Sequence, residues 1–489
     1  MQFSSGNNSH FGLKTIFVTL KDKEILGDKN VVTIVKQALP TYEENSKQIK
    51  DLKAIYSGNQ AILNRTNDKT TVNEKVNLNI IPTVVDTIAG LYLGEKIDYV
   101  YSSPTETDEK TIKQKQADVA VINRYMRYCG DILCDKNALT EMLITGVAYQ
   151  FCGGNEDKNR PFLLTSLPSE NCFTIHTNKI GYPIIANCVV SNYTLTNKVS
   201  GDSKEVKTIL VYTNDKKYTL SNNNDKNELK LTKTEKHYCS TNPIQLIKLN
   251  QFALSLVARL ESAQNAFNVA VSDSINATIE QIRSLLAIYN AEITKDEAKD
   301  IKETGILNLV APDGRNISAE YITKPLDENI NRLRQFLFDI ILFIAGVPTE
   351  NTGGSGNNGA VAMASGFFGA NIDAYFNELE FQLPKQNQID IVIDALSRRK
   401  LIKSNISSFE IEVRFDRNKL TSLKENADAL AVLLANHIPT RDALKVTGIF
   451  GDVDRIANEM DKVEQEILNT AVDTVVEEKV IENGVEENK

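Results

Sequence analysis

Positive charge is in short supply in this sequence of 489 residues: 55 Lys and Arg stand against 64 Asp and Glu, a formal net charge of -9. Tight nucleic-acid binding by bulk charge needs clustered Lys and Arg, so that class is excluded, whereas loose contact with DNA is not. Proline is sparse at 12 residues, and with 42% apolar and 24% charged residues the chain reads as ordered and globular, neither fibrous nor broadly disordered. The six cysteines (Cys129, Cys134, Cys152, Cys172, Cys188 and Cys239) include no CxxC pair, and the four histidines (His10, His176, His237 and His437) form no HExxH run. A zinc site therefore has little support, and surface or ordinary packing is the expected fate of the histidines. No apolar run of about 18 residues could span a bilayer, and the start, MQFSSGNNSHFG, lacks the basic and apolar regions of a signal peptide. The thiols are accordingly expected to be reduced. Neither GxxxxGKS/T nor GxSxG occurs, which removes a Walker-type site and a nucleophile elbow. Asp86 with Asp98, or Glu378 with Glu380, could be imagined as paired carboxylates, but any chain with 64 acids offers such pairs by chance. No catalytic residue, cofactor or metal is expected.

Glycine and proline are also both missing from residues 244–304. Average usage would place several in a stretch of that length. Ile244, Leu246, Ile247, Phe252, Leu256, Leu260, Phe267, Val271, Ile275, Ile279 and Ile282 supply an apolar stripe, interleaved with Ala and polar residues. The pattern predicts one helix over residues 243–282, roughly 60 Å long at 1.5 Å per residue, with Pro243 in its first turn. LLAIYN then reads as a strand, TKDEAKDIKET as a charged helix, and ILNLVAPDG and SAEYITKP as further strands. A second helix follows Pro325, with Leu326, Ile330, Leu333, Leu337, Ile341 and Ile344 at three-to-four spacing, and stops at AGVP. Long helix, compact insertion, long helix: the insertion must project from the far end of an antiparallel pair.

The remaining textures are simpler. Helical patches are expected at residues 31–39 and 43–63, a helix carrying Ile80, Val84, Val85, Ile88, Leu91 and Leu93, and helices over about 118–149 that close on the glycine of ITGVAYQF. Between residues 150 and 238, the runs PFLLTSL, CFTIHT, PIIANCVVSNYTL, TILVYT and KYTLS are β-branched, aromatic and bounded by turn residues, which marks a β-rich module. FEIEVRF at 409–415 reads as a strand, and residues 420–468 as helices broken at His437-Ile438-Pro439 and at TGIFGDVD. The acidic end, VEEKVIENGVEENK, lacks a core pattern.

Two segments invite a functional reading. Gly354, Ser355, Gly356, Asn357, Asn358 and Gly359 match GxGxxG by letter. That fingerprint needs a buried strand before it, because the turn must aim a helix N-terminus at a pyrophosphate. Here an apolar helix ended by Gly346 and Pro348 precedes it, so a flexible loop is the better account and a nucleotide-dependent enzyme the alternative. The second segment, with Lys295, Asp296, Glu297, Lys299, Asp300 and Lys302, alternates in sign as a solvated helix face does. It becomes a docking surface only if it lies at an exposed tip.

Several segments together resemble the portal proteins of tailed double-stranded-DNA bacteriophages of the long-tailed type. LKAIYSGNQAILNR at residues 52–65 resembles the family's early YY-x-G-x-x-x-I-L element, and VNLNIIPTVVDTIAGLYLGEKIDY at 76–99 its most recognisable signature, with Leu91-Tyr92 where a Tyr alone is usual and Lys96 in place of a proline. ALTEMLITGVAYQF at 138–151 and AGVPTENTGGSGNNGAVAMASGF at 345–367 match two further elements, so the resemblance covers about residues 52–466. It implies an α+β portal fold: an α/β wing (1–242, with a return at 384–419), stem helices at 243–284 and 325–347, a small α/β clip at 285–324, a tunnel loop and helix at 348–383, a helical crown at 420–470 and an acidic tail at 471–489. Asn351, Thr352, Gly353, Gly354, Ser355, Gly356, Asn357, Asn358 and Gly359 would form the DNA-proximal loop, and the clip would present Lys295 to Lys302 for docking. The implied partners are further copies in a ring of twelve at one capsid vertex, double-stranded DNA, terminase large subunit, head-tail adaptor, and major capsid and scaffolding proteins, with no membrane. Assembly would take place in the host cytoplasm and the product would sit in the virion. A non-portal virion adaptor or scaffold is the further alternative.

Overall fold

The protein is described from a computed structural model, which covers residues 12–20, 25–66, 73–93, 96–103, 106–157, 159–196, 203–224, 227–282, 285–289, 318–322, 328–347, 368–415, 423–447, 456, 457, 459, 460 and 463. Helices and sheets are mixed, as an α+β chain requires. Two compact units divide the chain, residues 1–349 with 367–418, and residues 350–366 with 419–489.

In the first unit a six-stranded sheet carries the β-rich texture. Its order is β1 (Ile16–Val18), β5 (Cys172–Thr177), β6 (Ile184–Thr196), β7 (Ser203–Tyr212), β8 (Lys216–Ser221) and β9 (Lys230–Lys236), antiparallel except that β1 joins β5 in parallel. Helix α1 (Val31–Tyr56) covers one face through Val31, Ile34, Val35, Ala38 and Tyr42. Strand β5 is buried on both faces: Phe173 and Ile175 face α1, while Cys172 packs with Val147, Tyr149 and Ile244 on the other side. Those last residues belong to a three-stranded sheet of β10 (Ile244–Lys248), β3 (Val147–Gly154) and β4 (Phe162–Leu167).

Helix α1 corrects the expectation of two helices at 31–39 and 43–63. It runs unbroken through Pro40, and only a 3-10 turn, Ala61–Asn64, follows it. An internal proline costs a helix about 3 kcal/mol. The buried stripe Val31, Ile34, Val35, Ala38, Tyr42, Ser46, Ile49 and Leu52 continues in phase on both sides of Pro40, and burial of that stripe outweighs the lost hydrogen bond.

Helices α2 (Ile81–Tyr92), α3 (Glu109–Tyr128) and α4 (Asp131–Thr145) follow, with β2 (Ile97–Tyr101) between the first two. Gly146 ends α4 at φ 91°. A Cβ there would lie 2.1 Å from the Ala253 carbonyl oxygen, so the position requires glycine twice over, for its dihedral and for the close approach of a second backbone. Strand β2 pairs antiparallel with β13 (Ile411–Phe415). The predicted strand at 409–415 begins two residues late, because Ser407 and Glu410 cap a 3-10 turn over Ser408–Glu410.

The long helix predicted over residues 243–282 is the larger correction. Residues 244–248 form β10, in register with β3 from Ile244 opposite Phe151 to Lys248 opposite Val147. The side-chain carbonyl of Asn250 then accepts from the Phe252 and Leu254 amides at 3.1 and 3.0 Å, and Ala253 adopts φ 50°. Ser255 caps the helix proper, its Oγ accepting from the Ala258 amide at 2.9 Å. Helix α5 therefore spans Leu256–Ile282, 27 residues and roughly 40 Å.

Beyond it, β11 (Leu285–Tyr289) and β12 (Ser318–Ile322) form an antiparallel ladder, and α6 (Glu328–Ala345) returns. Helix α7 (Phe368–Arg398) runs through Pro384 and across the boundary expected at 383/384. In the second unit, α8 (Leu423–Ala435) and α9 (Thr440–Thr447) flank the predicted break at His437-Ile438-Pro439, where His437 has φ 59°. Among the described residues no helix is long and apolar enough to cross a membrane.

Candidate functional site

Helices α5 and α6 pack as an antiparallel pair. Arg259 donates to the Ile344 carbonyl at 3.1 Å near one end, and the rings of Phe267 and Phe338 lie 6.2 Å apart further along. Leu260, Phe267 and Val271 of α5 share a core with Ile341 and Ala345 of α6. Between the two helices in sequence, β11 and β12 pair with each other as an antiparallel ladder, from Leu285 opposite Ile322 to Tyr289 opposite Ser318.

A second face of α5 holds an extended segment. Gln264, Asn268, Ser272 and Asn276 follow one another at i, i+4 spacing, and all four are buried. The amides of Glu74, Val76, Leu78 and Ile80 donate to Asn276, Ser272, Asn268 and Gln264 at 2.8, 3.0, 3.1 and 3.2 Å. Gln264 Nε2 returns a bond to the Leu78 carbonyl at 2.7 Å, and Asn276 Nδ2 one to the Glu74 carbonyl at 3.3 Å. The periods match: four helical residues rise about 6.0 Å and two extended residues about 6.6 Å. The small excess accumulates along the ladder, and Gln264, the one longer side chain, serves its last rung. Backbone groups that a lone extended segment would leave unpaired are thereby satisfied without a partner strand.

The two early motifs meet on this ladder. Asn77 Nδ2 donates to the Gly58 carbonyl at 2.6 Å, Asn79 Nδ2 to the Tyr56 carbonyl at 2.8 Å, and Gln60 Nε2 to Asn79 Oδ1 at 2.7 Å. Asn268 bonds Gln60 Oε1, and Arg65 reaches Asp273 at 2.7 Å. Residues 56–65 and 74–80 are therefore folded as one collar around α5.

Another polar node anchors α7. Lys385 is wholly buried and paired with Asp135 of α4. It also donates to Gln388 Oε1 at 3.0 Å; Gln388 donates to Gln150 Oε1 and Gln150 to Asp135 Oδ1, each at 2.7 Å. A charge so buried persists only when paired and hydrogen-bonded, and here both conditions hold. Sequence reasoning missed both this node and the amide ladder. The i, i+4 run of Gln264, Asn268, Ser272 and Asn276 was a legible signal for the ladder, whereas nothing local marks Lys385.

The residues singled out for function fall in different places. Those of the proposed DNA-proximal loop, 351–359, and of the proposed clip surface, 295–302, lie outside the described residues, as do the helix and strand expected between 290 and 317. Of the imagined carboxylate pairs, Asp98 is bound to Arg127 and to Lys96 at 3.3 Å, and Asp86 is exposed on α2. Glu378 and Glu380 stand two apart on α7 and so do not face one another. Burial pushes the Glu380 carboxyl up, opposed by the charge of Lys248. His176 is buried, its Nδ1 2.8 Å from the Tyr182 carbonyl, and desolvation pushes its pKa down. Burial pushes the thiol of Cys134 up to about 12. Among the described residues no three His, Cys, Asp or Glu groups converge as a metal would require.

Among curated proteins none matches this chain. The model of the phage portal protein family, SPP1 Gp6-like, matches residues 36–471, which includes both collar motifs, the helix pair with its insertion, and α7. On that match, over nearly the whole chain, the protein belongs to the SPP1 Gp6-like family of phage portal proteins.

Proposed function

We propose that this chain forms a ring at one capsid vertex, through which double-stranded DNA passes during packaging and again during ejection. The family match over residues 36–471 carries the reading, and the antiparallel pairing of α5 with α6 and of β11 with β12 between them in sequence agrees with it. In this reading α5 and α6 are the stem, residues 285–324 the clip that receives first the terminase large subunit and later the tail adaptor, and residues 351–359 the loop nearest DNA.

The charge supports a conduit better than a binder. Duplex DNA carries one negative charge per about 1.7 Å, and every phosphate neutralised by a basic lining deepens the trap for a moving strand. A chain of net charge -9, repeated around a ring, leaves the duplex mobile. Asn351, Thr352, Asn357 and Asn358 offer neutral hydrogen-bonding groups without strong attraction, so the loop grips transiently. The chain has no Walker-type nucleotide site, so the terminase supplies the energy for translocation. Electron microscopy of the purified full chain tests the reading: rings with a central hole are expected, and a solitary compact particle would overturn it. Within a ring, Gly356→Pro is expected to impair packaging more than assembly.

A further inference from the structure

Helix α6 carries a second apolar face that none of the described residues of its own unit covers. Leu333, Phe336 and Phe343 are 49%, 58% and 77% exposed, and with the half-buried Ile340 between them they repeat at intervals of three, four and three. That is the spacing of a helix seam made to receive another helix. At about 200 Å² per side chain, the three leave roughly 350 Å² of apolar surface bare, comparable to the largest patch on a typical monomer. Matched by an equal area opposite, it would supply roughly 700 Å² of the ~1,600 Å² that a standard interface buries.

Helix α5 offers the matching surface. Ser262, Ala266 and Val269 are exposed at intervals of four and three, on a face used neither by the amide ladder nor by α6. Their small side chains leave room for aromatic knobs. The two faces also lie at one level of the helix pair, because Arg259 sits beside Ile344 and Phe267 beside Phe338. Rotation about an axis along the pair therefore carries Phe336 and Phe343 of one copy to the height of Ser262, Ala266 and Val269 on the next. A self-complementary contact of α6 with α6 would pair aromatic with aromatic and leave α5 bare, whereas a head-to-tail contact uses both faces and closes as a ring.

We infer that the occupant of the α6 seam is the small-residue face of α5 in a second copy of this chain, the aromatic side chains of one subunit entering between the helical turns of its neighbour. The inference rests on the ring reading above and adds the surfaces that make the ring. In the full chain, Ala266→Cys combined with Phe336→Cys should, on mild oxidation, give a ladder of covalent multimers beyond the dimer, which neither single variant nor the parent chain gives. Phe336→Glu with Phe343→Glu places carboxylates in an apolar seam and should lower the ring fraction by about tenfold or more, with the far-UV circular dichroism and melting of the monomer unchanged. Rings that persist in the glutamate variant, or rings of the double-cysteine variant that yield no ladder, overturn this interface and leave the ring standing. A ladder that stops at the dimer overturns the head-to-tail arrangement. A parent chain that forms no ring overturns both readings.

Discussion

Replacing Asn268 with alanine tests the amide ladder where it is most enclosed. The wild-type side chain accepts from the Leu78 amide at 3.1 Å and from Gln264 Nε2 at 3.1 Å, and donates to Asn77 Oδ1 at 3.3 Å and to Gln60 Oε1. Truncation leaves the Leu78 amide and the Gln60 carbonyl without a partner in a site where Asn268 and Gln60 are 0% and 2% exposed. An orphaned buried polar group costs about 1–3 kcal/mol, so Asn268→Ala should destabilise the first unit by about 2–5 kcal/mol. Asn276→Ala deletes a rung of the same chemistry at the ladder's end, beside the exposed Glu74, where water replaces the lost partner; its expected cost is about 0.5–1 kcal/mol. Urea unfolding measures both, and amide hydrogen exchange localises the effect: Val76 and Leu78 should lose protection in Asn268→Ala ahead of the β5 amides. Equal costs at the two positions, or slow exchange at Leu78 in Asn268→Ala, would show that the segment is held by its apolar side chains and that the ladder is incidental.

Lys385→Met should cost about 3–5 kcal/mol by stranding Asp135 in the core, and adding Asp135→Leu should recover most of it; a single variant within about 1 kcal/mol of wild type would refute the role given to the pair. The Glu170 carboxyl is raised by burial but pulled further down by the hydrogen bond from Lys53 at 2.6 Å, so its folded pKa lies below the ordinary 4.5. Its contribution is therefore complete above that value and is lost as pH falls through the lower folded one. The gap in melting temperature between wild type and Lys53→Met should close between about pH 6 and about pH 3, and a gap independent of pH would refute the linkage.

What the sequence allowed to be read depended on where each signal was encoded. The β-rich module was legible because β-branched runs and the turn residues that bound them are local features, and the short runs at 285–289 and 318–322 were legible as strands for the same reason. The helix over 243–282 failed at Asn250, whose side chain built a turn that glycine or proline usually makes. The absence of both from residues 244–304 does not mean the absence of a break, because Asn250 and Ser255 are punctuation of another kind. Pro40 failed in the opposite sense: a strong local breaker was overruled by a buried stripe whose value lies in the sheet it covers, and that sheet is built mostly of residues beyond 170. Lys385 could not be read at all, since its meaning depends on Asp135 and Gln150, more than two hundred residues away.

The faces of α5 explain why the two collar motifs belong together. A helix that packs on one side only can leave its other faces polar, but each face of α5 has a use. One packs on α6 through Leu260, Phe267 and Val271, and a second binds the backbone of residues 74–80 through its amides. The ladder fixes what the bound segment must be, extended and antiparallel to the helix, and Gln60 with Asn79 then fixes residues 56–65 against it. The VNLN of the signature is thus a folding constraint, since Asn77 and Asn79 hold one strip of backbone while the alternate amides are given to α5. The face that remains, Ser262, Ala266 and Val269, is too small and too bare to be a core of its own. A helix held rigidly on two sides presents its third at a fixed height and angle, which is what a subunit needs if identical contacts are to close a ring without accumulating error.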